Sequence, residues 1–246
     1  MRVLLLSLFS CSCALLSAPI PMAKIVEQHT PQAKCLVLLL PGVGETAAAF
    51  RERGFIDALQ ASGASLDVVA ANATLGYYFK GIAATRLEAD VAAPARAMGA
   101  QKVWLIGISM GGFGVLHYAQ QNVDHVDGVL ALAPYLGSAS IAKEVQGAGG
   151  LAKWTPDPTA PLTEANYQRQ LWGWLHRVVT QQEAGPTLFL GYGDDDLGTE
   201  GAVLASALPA GHVLHTPGGH AWAPWLTLLK EFLNTPEFKT SCVGER

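Results

Sequence analysis

Three residue types that together can break an acyl bond stand far apart in this chain. Ser109 lies inside the run WLIGISMGGFG (104–114), framed by Gly107 and Gly111 in the pattern Gly-x-Ser-x-Gly. Asp194, Asp195 and Asp196 follow the run LFLGYG (188–193), and His220 follows PGG (217–219). A serine hydroxyl is a poor nucleophile near neutral pH. It needs a base to take its proton and an acid to orient that base. Chemistry of this kind attacks a carbonyl carbon and passes through an acylated serine.

The setting of Ser109 carries more weight than the five-residue pattern, because a chain with 26 glycines meets that pattern easily. The apolar run before it has strand length, and a helical pattern opens directly after it. A turn that sharp holds the serine in strained backbone angles and lifts its hydroxyl clear of the sheet. Side chains two positions to either side would strike the neighbouring strand and helix, so glycine is expected at 107 and 111. Gly112 and Gly114 let the following helix pack closely. Among the seven histidines, His220 is favoured because it follows the last strand on a glycine-rich approach, with the apolar AWAPW (221–225) behind it. His212 and His215 fall at or within that strand and are read as structural. Only one of the three adjacent aspartates can be aimed at the imidazole, since neighbouring buried carboxylates repel. Asp196 is the first choice and Asp195 the second.

These groups need a framework to bring them together. Apolar runs of strand length cover 33–41, 64–72, 102–108, 127–134, 186–193 and 212–216, alternating with helical patterns at 45–62, 81–99, 110–122, 200–208 and 222–234. Pro94 marks a kink or break in the second of these helices. Strands without polar alternation are buried on both faces. With helical crossovers between them they imply an α/β domain: a mostly parallel central sheet with helices on both faces. The one long connection, 135–185, is expected to form a small cap over the carboxyl edge of the sheet. Its aromatic residues Tyr135, Trp154, Tyr167, Trp172 and Trp174 are candidates for lining a substrate pocket, and Tyr77 and Tyr78 for rimming it. Trp172 and Trp174 point to different faces of one helix, so one is expected on the core and the other toward substrate; packing of all these aromatics in the core is the alternative.

Composition narrows the partners. Half of the 246 residues are apolar, 15% are charged, and 16 Lys and Arg face 20 Asp and Glu with no basic run. Nucleic acid is excluded as a partner on that ground, because phosphate binding needs clustered cations. No Cys-x-x-Cys or His-x-x-x-His suggests a metal site, and none of the chemistry above requires a cofactor. Residues 1–23 combine an early Arg, an apolar run and a small-residue end, which describes a secretory signal peptide cleaved after Ala18 or Ala23. Export to the periplasm or beyond is the expectation. LFSC (8–11) also resembles a lipoprotein signal, with Cys11 as the lipidated residue and membrane attachment as its consequence. Cys35 and Cys242 remain after cleavage. The favoured reading leaves both as free thiols, Cys35 buried and Cys242 in a frayed terminus; pairing in an oxidising compartment is the alternative.

The runs LLLPGVGET, GISMGGFG, LAPYLG, GYGDDD and PGGHAW occur in the order found in serine esterases of the α/β-hydrolase superfamily, and the chain resembles compact bacterial members over residues 34–235. The resemblance implies the α/β-hydrolase fold in one domain over 24–246, a Ser-acid-His order, and an acid three residues after the glycine that ends its strand, here Asp196. It also implies an oxyanion held by two backbone N–H groups, those of Met110 and of Val43 in PGVGE, with Gly44 as second choice for the latter. Many relatives carry His-Gly where this chain has Pro41-Gly42. The substrate class implied is a small-molecule carboxylic ester. A thioester, lactone or peptide cleaved by the same residues is the alternative, and a non-catalytic binding protein on the same fold stands further off.

Overall fold

The computed structural model describes residues 16–28, 33–157 and 166–243. Most of the proposed signal peptide, including Cys11, therefore lies outside the described residues. Seven strands form one sheet: β1 (Lys24–Gln28), β2 (Cys35–Leu40), β3 (Leu66–Ala71), β4 (Lys102–Ile108), β5 (Gly128–Leu132), β6 (Thr187–Gly193) and β7 (Val213–Thr216). Their spatial order is β1-β3-β2-β4-β5-β6-β7, with every pair parallel except the β1–β3 edge. The six internal apolar runs thus become six strands of the sheet. The antiparallel edge strand β1 was not anticipated; its adjacent residues Ile25 and Val26 point to opposite faces and are both exposed, so it carries no buried apolar run.

The residues of β2 divide between the two faces with period two. Leu36, Leu38 and Leu40 join one apolar cluster, and Cys35, Val37 and Leu39 the other. One face is covered by α1 (Ala49–Glu52), α2 (Phe55–Ala61), α10 (Trp222–Phe232) and α11 (Pro236–Cys242). On the other face lie α3 (Leu75–Phe79), α4 (Ala83–Leu87), α5 (Ala93–Arg96), α6 (Met110–Gln121), α7 (Ala139–Gly147), α8 (Tyr167–Val179) and α9 (Thr199–Ala205).

Two expected helices are broken for identifiable reasons. The pattern at 45–62 splits into α1 and α2 at Gly54, whose φ of 82° no continuous helix holds. The pattern at 81–99 passes through a π-helical turn, Glu88–Ala92, just before Pro94. Proline cannot donate to the carbonyl four residues back, and the wider turn absorbs the mismatch.

The insertion between β5 and β6 packs as a layer of the domain. Leu136, Ile141, Val145, Leu171 and Leu175 belong to the same apolar cluster as one face of the sheet. Its tryptophans belong there too, which corrects the expectation for three pocket candidates. Trp172 and Trp174 are fully buried and Trp154 is 4% exposed. Trp172 donates to the Leu136 carbonyl at 3.0 Å, and Trp154 donates to Glu144 at 2.9 Å. Gly173 lies against Pro156, so the helix is covered from more than one side and the residues on both sides of Gly173 are enclosed.

The cysteine expectation is also corrected. Cys35 and Cys242 form a disulfide, with their Cα atoms 5.3 Å apart across a separation of 207 residues. The terminus is not frayed, because α11 buries Phe238 and Cys242 against Trp104 and Phe232. Thr235 caps that helix by accepting from the Phe238 N–H. Among the described residues no helix is long and apolar enough to cross a membrane.

Candidate active site

Ser109 stands between β4 and α6 with φ 54° and ψ −115°, a conformation an L-residue adopts only when its surroundings enforce it. The enforcement is visible on both sides. The Ser109 N–H donates to the Leu132 carbonyl at 2.9 Å, and its carbonyl accepts from Tyr135 N–H at 2.9 Å and from Phe113 N–H at 3.2 Å. The turn closes so tightly that a Cβ on Gly107 would overlap the Gly111 carbonyl oxygen. A Cβ on Gly111 would lie 2.6 Å from the Pro41 oxygen. Glycine at 107 and 111 therefore answers a steric demand of the strand–turn–helix junction.

The loop after β2 presses on the same serine. A side chain at Gly42 would meet Ser109 Cβ at 3.4 Å. The N–H groups of Val43, Gly44 and Met110 have no backbone acceptor among the described residues. Met110 opens α6, so its N–H is one of the orphan donors at a helix start. N–H groups without a backbone acceptor thus stand on the two segments that meet at Ser109, and donors of this kind can hold negative charge on an oxygen.

The acid and the base come from the loops after β6 and β7. These loops are laced together by backbone bonds: Asp194 N–H donates to Thr216 at 2.9 Å and Asp195 N–H to Gly218 at 3.0 Å. A Cβ on Gly193 would strike the Gly218 carbonyl, so the loops touch backbone to backbone. The lacing sorts the three aspartates. Asp194 pairs with His215 Nδ1 at 2.8 Å, Asp195 carries the backbone link, and Asp196 Oδ2 accepts from His220 Nδ1 at 2.8 Å. That bond places the imidazole proton on Nδ1 and leaves Nε2 as an acceptor, without a partner among the described residues. His220 stands edge-on to buried Trp225, ring centroids 4.8 Å apart. Trp222 reaches back to donate to Glu45 at 3.2 Å, joining the His220 loop to the loop after β2.

Ser109, Asp196 and His220 line one cavity of about 290 Å³ with Tyr135, Leu190, Tyr192, Leu197 and Glu200. A second, larger cavity of about 570 Å³ shares Tyr135 with it and is walled by Leu75, Tyr78, Phe79, Met110, Phe113, His117, Gln121 and Tyr167. Of the five pocket candidates, Tyr135 and Tyr167 line cavities; Trp154, Trp172 and Trp174 line neither. Tyr78 rims the larger cavity as expected, whereas Tyr77 is buried with its hydroxyl on the Pro19 carbonyl.

Glu200, Tyr192, Phe113 and His117 were missed. For the last two a signal existed: Met110, Phe113, His117 and Gln121 recur at three- and four-residue steps along α6, which puts them on one helix face. Glu200 and Tyr192 carried none, since their approach to Ser109 depends on the sheet order.

A family model described as alpha/beta hydrolase fold matches residues 36–171, more than half of the chain. A search of curated proteins finds no match. Several solved structures are similar over most of both chains. S-formylglutathione hydrolase from Staphylococcus aureus is 16% identical, with a TM-score of 0.57, covering 84% of this chain and 82% of that one. Est1E from Butyrivibrio proteoclasticus is 18% identical, with a TM-score of 0.56 and coverage of 86% and 90%. A monoacylglycerol lipase from Paleococcus ferrophilus is 17% identical, with a TM-score of 0.54 and coverage of 86% and 98%. At these identities the likeness is one of fold.

Proposed function

The chain belongs to the alpha/beta-hydrolase fold family, and from that premise we propose that it is a serine hydrolase of small carboxylic esters. One observation carries the reading. A strained serine, an imidazole with its proton held on Nδ1 and a carboxylate holding that proton all line a single cavity. His220 Nε2 takes the Ser109 proton as the oxygen attacks the ester carbon. The N–H groups of Met110 and Val43 face the oxygen that becomes negative. His220 then protonates the leaving alcohol, and water activated by the same imidazole clears the acyl group. Asp196 keeps the ring oriented and stabilises its charged form. No step requires a metal or an organic cofactor.

A ferulic acid esterase and a monoacylglycerol lipase among the similar structures support an ester bond, and the S-formylglutathione hydrolase among them makes a thioester the second reading. The same reading has the protein exported after removal of residues 1–18 or 1–23. The Cys35–Cys242 bond supports this, being of a kind that persists in oxidising compartments. Turnover of p-nitrophenyl acetate by purified protein, with its loss in Ser109→Ala, tests the reading. A folded wild-type protein that fails to turn over any short ester, thioester or lactone refutes it.

A further inference from the structure

The two cavities meet at Tyr135, whose N–H is bonded to the Ser109 carbonyl. They differ in what they hold. The smaller contains His220, the group that must protonate the departing oxygen, together with Glu200 and Asp196. The larger starts at Met110, on the side where the carbonyl oxygen would be received, and contains neither His220 nor an acidic residue. A tetrahedral carbon on Ser109 directs its oxyanion to the N–H groups and its leaving group to the imidazole. Its remaining substituent, the acyl chain, goes to the space left over.

That space has a definite chemistry. Phe113 is its hub. The rings of Tyr78, Tyr135, Tyr167 and His117 surround Phe113 with centroids 6.1, 6.1, 5.6 and 5.4 Å away. Exposed Phe79 stands on the wall. Tyr78 buries its hydroxyl against Gly114, where a Cβ would displace it, so the close approach of Tyr78 to the helix depends on glycine there. The cavity follows the face of α6 from Met110 to His117 and Gln121. At 1.5 Å per residue the step from Met110 to His117 is about 10 Å, the reach of an acyl group with a three-carbon arm and one ring. The distal end is polar. Gln121 Nε2 donates to His117 Nε2 at 2.9 Å, which fixes the ring proton on Nδ1. Burial holds the imidazole below its usual value, so it stays neutral at pH 7 and meets a hydroxyl better than a carboxylate.

We infer that the larger cavity receives the acyl half of the ester, and that the preferred acyl class is an aromatic ring on a short arm, with a hydroxyl at its far end against His117. This rests on the hydrolase reading and names the substrate class of the same serine. The test swaps the ring between the two halves of the ester: methyl 3-phenylpropanoate against 3-phenylpropyl acetate, then methyl 3-(4-hydroxyphenyl)propanoate. The first ester should exceed the second in kcat/KM by at least tenfold. The hydroxylated ester should exceed the first by about three- to tenfold, a margin that His117→Phe removes while the unsubstituted ester is still cleaved. Equal or reversed rates for the swapped pair overturn the assignment of the cavity. A hydroxyl margin that survives in His117→Phe overturns the role of His117. A fluorophosphonate run in parallel separates the two levels. A labelled Ser109 with the reversed order removes only the acyl assignment, whereas folded protein that takes no label removes the hydrolase reading and this assignment with it.

Discussion

Replacing Asp196 by Asn should cripple the enzyme far more than the same change at either neighbouring aspartate. The Asp196 carboxylate accepts from His220 Nδ1 at 2.8 Å. A hydrogen bond to a charged partner is worth about 1.5–3 kcal/mol, which at 1.36 kcal/mol per decade is roughly a 10- to 10²-fold change in rate. Asparagine does more damage than the loss of that bond. Its amide N–H₂ donates to Nδ1 and moves the ring proton to Nε2, the atom that must be empty to receive the serine proton. The combined loss in kcat is expected to be on the order of 10³–10⁴-fold, with little change in KM because Asp196 binds no substrate. Asp196→Ala lacks the wrong-tautomer penalty and should retain more activity than Asp196→Asn. Asp194 is engaged with His215, and Asp195 contributes its backbone, so Asp194→Asn and Asp195→Asn should remain within about threefold of wild type. Initial rates on p-nitrophenyl acetate, with folding checked by circular dichroism, decide the matter. Parity between Asp196→Asn and Asp195→Asn, or a loss below tenfold for Asp196→Asn, would refute the assignment of the acid.

Further outcomes follow from the same geometry. Gly111→Ala should abolish activity and broaden or lower the melting transition, because the added methyl lies 2.6 Å from the Leu40 carbonyl carbon and the Pro41 oxygen; calorimetry and esterase rate on one preparation check this. Cys35→Ser with Cys242→Ser frees a loop of 207 residues and should cost up to about 5 kcal/mol of unfolding free energy, read from urea midpoints of the two proteins. Glu144 is held down to about 2 from 4.5, chiefly by its hydrogen bonds from Arg169 and then from Trp154. A depressed carboxylate adds stability above its unfolded pKa and loses it as pH falls through its folded value. The urea midpoint of the wild type should therefore fall more between pH 5 and pH 2 than that of Glu144→Gln, by a small margin, since the pair is exposed to solvent.

How far the sequence could be read depended on which forces were local. The elbow was legible because its demand for glycine at 107 and 111 comes from contacts within a few residues and with the adjacent strand. The inner strands β2 to β6 were legible because burial on both faces leaves largely apolar runs, and the short edge strand β7 because VLHT stands between two helical patterns. Edge strand β1 was not, since its KIVEQ neither alternates nor forms an unbroken apolar run, and it follows directly on the apolar leader. The choice of Asp196 over its neighbours rested on a spacing rule. In the structure it follows from the lacing of two loops, with Asp194 N–H on Thr216 and Asp195 N–H on Gly218, which spacing does not encode. The tryptophans misled for a physical reason: Trp172 and Trp174, two residues apart on α8, were expected to face different surroundings. The helix is enclosed on both sides, so both are core. The disulfide was undervalued because nothing local ties residue 242 to β2; α11 brings it there by packing Phe238 on Trp104 of the neighbouring strand β4.

The central claim is that Ser109 is a nucleophile activated by His220. Intact-mass spectrometry of the purified protein after incubation with a fluorophosphonate probes it directly. One phosphonyl adduct, mapped to the peptide bearing Ser109, lost in Ser109→Ala and slowed at least a hundredfold in His220→Ala, is the predicted result. An adduct that forms at the same rate without the imidazole, or a folded wild-type protein that gains no mass, would contradict it.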